Sequence, residues 1–283
     1  MVLEGAIQQW PYVHGTDQKV YTISMEQFRY ETHLHTNEAS ACALSCGADY
    51  VPLYQKAGYQ GLIVTDHFFN GNTSIPSSWS WQRRVEAFCK GYEHAKLLGD
   101  QLDFSVFFGW ETSFGNDEYL IYGLDKQWLL DNPEVMEWDH ETLYSRVDAD
   151  GGCIIQAHPF RERSYLSAIN LYPHVVHGIE VVNGENEPEF DRKAYAYAKA
   201  FNLAMTSGSD IHSAGKIGNT LKGMVFDEPL HSIHDFVAAI KEHSTYHLIG
   251  EEERFEPPFI NHSDLPIYLH TCSTSNRMEA ESN

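Results

Sequence analysis

Short apolar runs alternate with helical stretches along this chain, and five of the runs end on a histidine or a carboxylate. Residues 28–36 (FRYETHLHT) end with His33 and His35, and 61–65 (GLIVT) lead to Asp66 and His67. Residues 104–110 end at Glu111, 153–157 (CIIQA) at His158, and 203–207 (LAMTS) at Asp210 and His212. A further run, 178–182 (GIEVV), ends at Asn183. Brief β-branched runs separated by helices (49–57, 81–98, 140–147, 189–201, 232–242) predict parallel strands joined by right-handed crossovers. About seven such units point to a closed or nearly closed TIM-like barrel. A doubly wound sheet also alternates, but it carries a glycine-rich phosphate loop after its first strand, and none is present. The expected architecture is therefore α/β and single-domain, with the barrel over residues 1–250. A C-terminal tail over 251–283, where periodicity fades, can pack against it.

In a barrel the carboxyl ends of the strands share one mouth, so these ligand-type residues should gather there. Strand parity sharpens the point: residues at i and i+2 share a face, which places Glu31, His33 and His35 together and opposite Tyr30 and Leu34. Packing explains two imidazoles at one strand end poorly, whereas a metal ion explains them well. Asp210 and His212 share a face in the same way. Asp66 falls with Leu62 and Val64, where it can fix an imidazole tautomer or transfer a proton. Histidines such as His94, His174 and His177 end no apolar run and read as surface or hydrogen-bonded residues.

Arg161 and Lys216 follow ligand positions closely in a chain with few cations, and either can hold a phosphate. Asn183 reads equally as a turn residue or a substrate contact. Phe68, Phe69 and Trp79 to Trp81 can stack on a substrate or pack their own loop. Nineteen basic against 40 acidic residues give a formal charge of −21. Such a balance predicts no duplex nucleic acid as a partner, while a small anion remains admissible if bound cations reverse the sign locally. The five cysteines form no CxxC pair and read as reduced thiols. No run nears the roughly 20 apolar residues of a membrane helix, and the N-terminus lacks a secretory pattern. A cytoplasmic location without membrane partners is the expectation.

HLHT at 33–36, TDH at 65–67, Glu111, AHPF at 157–160 and GSDIH at 208–212 resemble the polymerase and histidinol phosphatase (PHP) superfamily of metal-dependent phosphoesterases. The motifs span most of the chain in the superfamily's order. The resemblance implies a distorted (β/α)7 barrel with two or three divalent ions (Zn, Mn or Fe). It assigns His33, His35, Glu111 and Asp210 to one metal. Glu111 would bridge to a second that His158 also binds, and His67 and His212 would hold a third.

The chain departs from the pattern in two places. The further ligand expected soon after HxH must come from Glu38 or, in second place, Cys42. The histidine common between the positions of Glu111 and His158 is matched only by His140, within a helical stretch, so water or Asp117 would fill that place. The implied activity is hydrolysis of a small phosphate monoester by a metal-bridging hydroxide, with Asp66 or His212 supplying a proton to the leaving group. A phosphodiesterase, a metal-dependent amide or ring hydrolase of similar barrel fold, and a non-catalytic metal-binding regulatory module are the alternatives.

Overall fold

The computed structural model describes residues 27–115, 117–218, 221–251 and 265–270. The N-terminal lead-in and Cys272 lie outside the described residues, as does most of the tail expected at 251–283. In chain order the strands are β1 (Phe28–Glu31), β2 (Gly61–Val64), β3 (Ser105–Phe114), β4 (Asp117–Tyr122), β5 (Cys153–Gln156) and β6 (Ile169–Leu171). They continue with β7 (Gly178–Asn183), β8 (Ala204–Gly208), β9 (Gly223–Phe226), β10 (His247–Ile249) and β11 (Ile267–Leu269). The helices are α1 (Gly47–Lys56), α2 (Trp81–Phe88), α3 (Lys90–Leu102), α4 (Lys126–Asp131), α5 (His140–Ala149), α6 (Pro188–Phe201) and α7 (Ile233–Lys241).

Nine strands form one sheet in the order β10-β9-β1-β2-β3-β4-β5-β7-β8. β1, β2 and β3 run parallel, as do β5, β7 and β8. β2, β5 and β7 are buried along their whole length, as befits strands covered on both faces. Just past the strands, the sheet curls until its ends meet. Leu34 bridges Ile211 in parallel, His35 N–H donates to the Ile211 carbonyl at 3.0 Å, and Asp210 N–H donates to the His33 carbonyl at 2.8 Å. The result is a nearly closed, distorted TIM-like barrel.

Strict strand–helix alternation fails at β4, at β9 and between β5 and β7, where β6 stands in place of a helix. β4 folds back on β3 as a hairpin through a turn at Gly115 and is antiparallel to β5 as well. β9 lies antiparallel to both β1 and β10. The helix expected over 81–98 is two helices, α2 and α3, that break at Cys89. At the tail, β11 pairs in parallel with β6 as a separate two-stranded sheet.

Closure of the barrel depends on a missing side chain. A Cβ on Gly208, at the end of β8, would meet the His33 Cβ at 2.4 Å and Glu180 Oε1 at 2.8 Å. The first residue of GSDIH is thus glycine because the first histidine of HLHT occupies the space beside it. Gly208→Ala should destabilise the protein by about 1–3 kcal/mol, the usual scale of overpacking a filled interior. Chemical denaturation of the metal-free protein reads this as a lower midpoint, and an unchanged midpoint would mean the two chain segments do not approach this closely.

Candidate metal centre

At the mouth formed by the strand ends, the structure brings together His33, His35, His67, Glu111, His158, Asp210 and His212. Four groups of three residues each place their donor atoms within 4.8 Å of one another. These are His33–His35–Asp210, His33–Glu111–His158, His35–His67–His212 and His67–Glu111–Glu118. Glu111 belongs to two of them, as a bridging carboxylate would. Two of these side chains arrive through unusual backbone: His158 (φ 29°) and Asp210 (φ 52°) are left-handed residues. Such conformations cost about 1–3 kcal/mol each in a non-glycine residue and concentrate at functional sites.

Hydrogen-bond accounting fixes the imidazoles. His33 Nδ1 lies 2.9 Å from Glu180 Oε1, and the same carboxylate accepts from the His158 N–H and the Asn183 side-chain amide. Glu180 is thereby an acceptor, so Nδ1 of His33 carries the proton. Ser40 Oγ donates to Asp66 Oδ1 at 2.6 Å and accepts from His67 N–H at 3.0 Å. His35 Nδ1, 3.3 Å from the same oxygen, must then donate to it. His212 Nδ1 donates to the Asp210 carbonyl at 2.8 Å. In all three rings Nδ1 donates to a fixed acceptor and Nε2 is the nitrogen turned to the cluster, the arrangement that partners behind metal-binding imidazoles enforce.

The consequence is a contact that suits a cation. His33 Nε2 and His35 Nε2 face each other at 3.1 Å. Against burial, the charges of Glu180, Asp210 and Glu111 hold His33 well above its usual value, so a proton on its Nε2 can bridge to His35 where a divalent ion would otherwise stand. Asp210 Oδ1 lies 3.1 Å from His35 Nε2, and Glu111 Oε1 lies 3.4 Å from His33 Nε2. Donors bound to one divalent ion at about 2.0–2.2 Å stand about 3–3.5 Å apart, so these spacings fit a shared ion. Beside them, His67 Nδ1 and Glu111 Oε2 are buried without a hydrogen-bond partner although only 2.7 Å separates them. This imidazole–carboxylate donor set suits zinc, manganese or iron.

The electrostatics agree with a site built for charge. Glu111 and Asp210 stay well below the ordinary carboxylate range. Burial alone would raise both, but His67 and His33 outweigh it at Glu111, as do Arg161, His33 and His35 at Asp210. Burial, then His67 and His212, hold His35 well below its usual value, so it remains a neutral ligand. Glu118 is raised by burial and by the charge of Glu111.

Several expectations need correction. Glu38 does not reach the cluster: its carboxylate accepts the Gly47 N–H at the start of α1 (3.1 Å) and pairs with His94 (2.9 Å). The helix N-terminus, with its free N–H groups, captures the acid. Cys42 instead contacts His212 and His67, which bring its thiol down to about 6 against the opposing effect of burial. Asp66 is no proton donor to substrate, because both its oxygens accept, from Thr36 N–H, the Thr36 hydroxyl and the Ser40 hydroxyl. Its part is to orient Ser40 and through it His35.

Asn183 is not a free substrate contact: its amide bridges Glu180, Arg161 and the Glu185 N–H. Arg161 gives three of its N–H donors to Asp210, Asn183 and Asn186, and so holds the outer oxygen of Asp210. Lys216 is exposed and pairs with Glu185 at 3.4 Å. Asp117 is bound by Asn170, and the place beside Glu111 goes to its neighbour Glu118. His140 stacks on Tyr172 and Phe114, away from the cluster's residues. Phe68 and Phe69 pack edge-on against both Trp81 and Phe88 as loop core.

Sequence reading missed Glu180, Glu118 and Ser40. Glu180 offers a direct test. In Glu180→Gln an amide cannot accept from His33 while also accepting from His158 N–H and Asn183. Divalent-metal affinity should fall about 10–100-fold, the usual loss when a ligand's supporting partner is removed. Titration against a chromophoric chelator measures it; wild-type affinity would show that His33 orients without this carboxylate.

A family model for the PHP-associated segment matches residues 188–245, from α6 through α7. No curated protein sequence matches the chain. Among solved structures, the chain is similar to a Bacteroides vulgatus two-domain protein containing a predicted PHP-like metal-dependent phosphoesterase. That pair is 16% identical with a TM-score of 0.59, covering 86% of this chain and 69% of the other. It is also similar to endonuclease Q bound to a 27-mer duplex with an abasic lesion at the active site (10% identity, TM-score 0.52, 78% of this chain, 58% of that one). The lesion-specific endonuclease of Pyrococcus furiosus is comparable (12% identity, TM-score 0.51, 79% and 58%).

These likenesses are of fold, and they correct the exclusion of duplex nucleic acid drawn from net charge. A protein with this barrel is solved on duplex DNA, so overall charge is no ground for the exclusion. Net charge sums over the whole molecule, whereas a phosphate meets the field within a Debye length, about 8 Å at physiological salt. The match to a PHP-associated segment over residues 188–245 and the barrel shared with these structures accord with the resemblance of the five motifs to the polymerase and histidinol phosphatase superfamily.

Proposed function

We propose that the chain is a metal-dependent phosphoesterase and that its substrate is a small phosphate monoester. The observation that carries this reading is the pair of Nε2 atoms of His33 and His35, facing each other at 3.1 Å and flanked by Glu111 and Asp210. His33, His35, Glu111 and Asp210 would hold one divalent ion, Glu111 and His158 a second, and His67 with His212 a third. Such ions supply a nucleophile from water near neutral pH and stabilise charge building on a phosphoryl group.

The chain's own residues do the rest. Glu180, Ser40 and the Asp210 carbonyl lock three imidazoles in the ligating tautomer. Arg161 fixes Asp210 from behind. His212, with its side chain 24% exposed, is the most open of the imidazoles in the cluster, and with Nδ1 committed to the Asp210 carbonyl its Nε2 would serve as a ligand rather than as the proton donor. A cleft adjoins His158 and Glu118, with Arg161, Arg163 and Tyr165 in its lining. Its guanidinium groups suit phosphate oxygens. A phosphodiester reading, nucleic acid included, stands second, supported by the likeness to endonuclease Q.

Assays on manganese- or zinc-loaded protein separate these readings. An aryl phosphate monoester, an aryl phosphodiester and an abasic duplex are offered in parallel. Monoester turnover should dominate, and Asp210→Asn should reduce it by about a hundredfold or more, the scale of removing one charge-stabilising group from a reaction site. Preferred cleavage of either diester would replace the monoester reading. Full activity in Asp210→Asn would remove Asp210 from the metal site.

A further inference from the structure

The superfamily pattern leaves a gap at the second ion, where this chain lacks the usual histidine between Glu111 and His158. We propose that Glu118 fills it and ligates that ion together with Glu111 and His158; this rests on the metal reading of the site given above.

Three observations converge on Glu118. Its carboxylate stands 3.6 Å from His158 Nε2 through one oxygen and 4.0 Å from His67 Nδ1 through the other. Second, Glu118 stands within 4.8 Å in one donor group with Glu111 and His67, residues 0% and 7% exposed, whose Oε2 and Nδ1 meet each other at 2.7 Å and have no further hydrogen-bond partner. A buried carboxylate so poorly supplied with donors favours a cation beside it. Third, the backbone delivers the residue there. In the β3–β4 hairpin Glu111 pairs with Leu120 and Ser113 pairs with Glu118. Glu111, Ser113, Leu120 and Glu118 therefore share one face of the sheet, with Glu118 the diagonal neighbour of Glu111, within reach of a long side chain. The Ala157 N–H donates to the Glu118 carbonyl at 2.9 Å and pins that stretch next to His158.

The hairpin also explains why a carboxylate can stand in for an imidazole supplied from elsewhere. β4 runs against its neighbours, so its first residues, and not its last, lie at the mouth where the parallel strands end. Replacing imidazole with carboxylate adds a negative charge and a hard oxygen donor. The second ion then sits among two carboxylates and one imidazole, a set that suits manganese or iron(II) better than an imidazole-rich one.

Metal content, read without turnover, tests the assignment. Wild type, Glu118→Gln and Glu118→His are saturated with Mn²⁺, desalted and analysed for bound metal, with the affinity of the weakest ion taken from titration and exchange coupling from electron paramagnetic resonance. Glu38→Gln serves as a control carboxylate outside the cluster, and circular dichroism verifies the fold of each variant. Glu118→Gln should lose about one equivalent of Mn²⁺, or bind it at least about tenfold more weakly, together with the coupled-pair signal. Glu118→His should recover the equivalent, and Glu38→Gln should match wild type. If wild type binds two or more ions and Glu118→Gln keeps all of them at unchanged affinity, the assignment of Glu118 is overturned while the site reading stands. If wild type itself binds no Mn²⁺, the site reading fails and Glu118 falls with it.

Discussion

Two imidazole nitrogens held 3.1 Å apart are the constraint around which this mouth is built. The contact needs a proton or a cation between the rings, and the protein holds it with a shell of fixed donors and acceptors. Glu180 takes the proton side of His33, and the Ser40–Asp66 pair takes that of His35. Glu31, fully buried one step before the motif, accepts the N–H groups of Thr32, His33 and Ser209 and the Tyr54 hydroxyl. That single carboxylate ties the end of β1 to the segment after β8, so the two halves of the cluster cannot drift apart. Burial raises the pKa of Glu31, and the groups donating to it work against that rise. These bonds among the chain's own groups fix the positions of the donors, which is what a preorganised metal site requires.

What the sequence disclosed and what it withheld divide along strand direction. His33, His35, His67, Glu111, His158 and Asp210 were legible because parallel strands deliver their carboxyl ends to one mouth, and an apolar run marks each end. Glu118 was not, since it opens an antiparallel strand; the rule that finds ligands at strand ends looks at the wrong end of β4. Glu180 was hidden for another reason. It sits inside the apolar run 178–182, where a lone carboxylate gives no sign of which face it takes, and only the β7–β8 pairing turns it toward His33.

Loops were read least well. Glu38 and Cys42 both lie within a few residues of HLHT, and nothing in their spacing shows that the free N–H of Gly47 draws one away while the other turns to His67 and His212. The left-handed residues His158 and Asp210 belong to the same class of hidden fact. At both positions a strand would carry its next side chain along the sheet, and the reversal of φ turns it into the mouth. Strand parity alone therefore places Asp210 and His212 on one face without predicting how they reach the cluster. The bonds from Asp210 N–H to the His33 carbonyl and from His158 N–H to Glu180 hold these strained turns.

Charge closes the account of what such a mouth can attract. Glu111, Glu118, Glu180 and Asp210 converge there beside the Arg161 guanidinium, so the empty pocket is acidic like the rest of the chain. Two divalent cations carry as much positive charge as those four carboxylates carry negative, and Arg161 is then left in excess. Loading thus reverses the local sign within a few ångströms, where screening is weakest, while the remaining acidic surface lies mostly beyond a Debye length of about 8 Å. On the function proposed above, bound ions would draw an anionic ester to a mouth whose carboxylates alone would repel it. The formal charge of −21 consequently sets how anions approach the chain from a distance, and the ligand set decides whether one can be held.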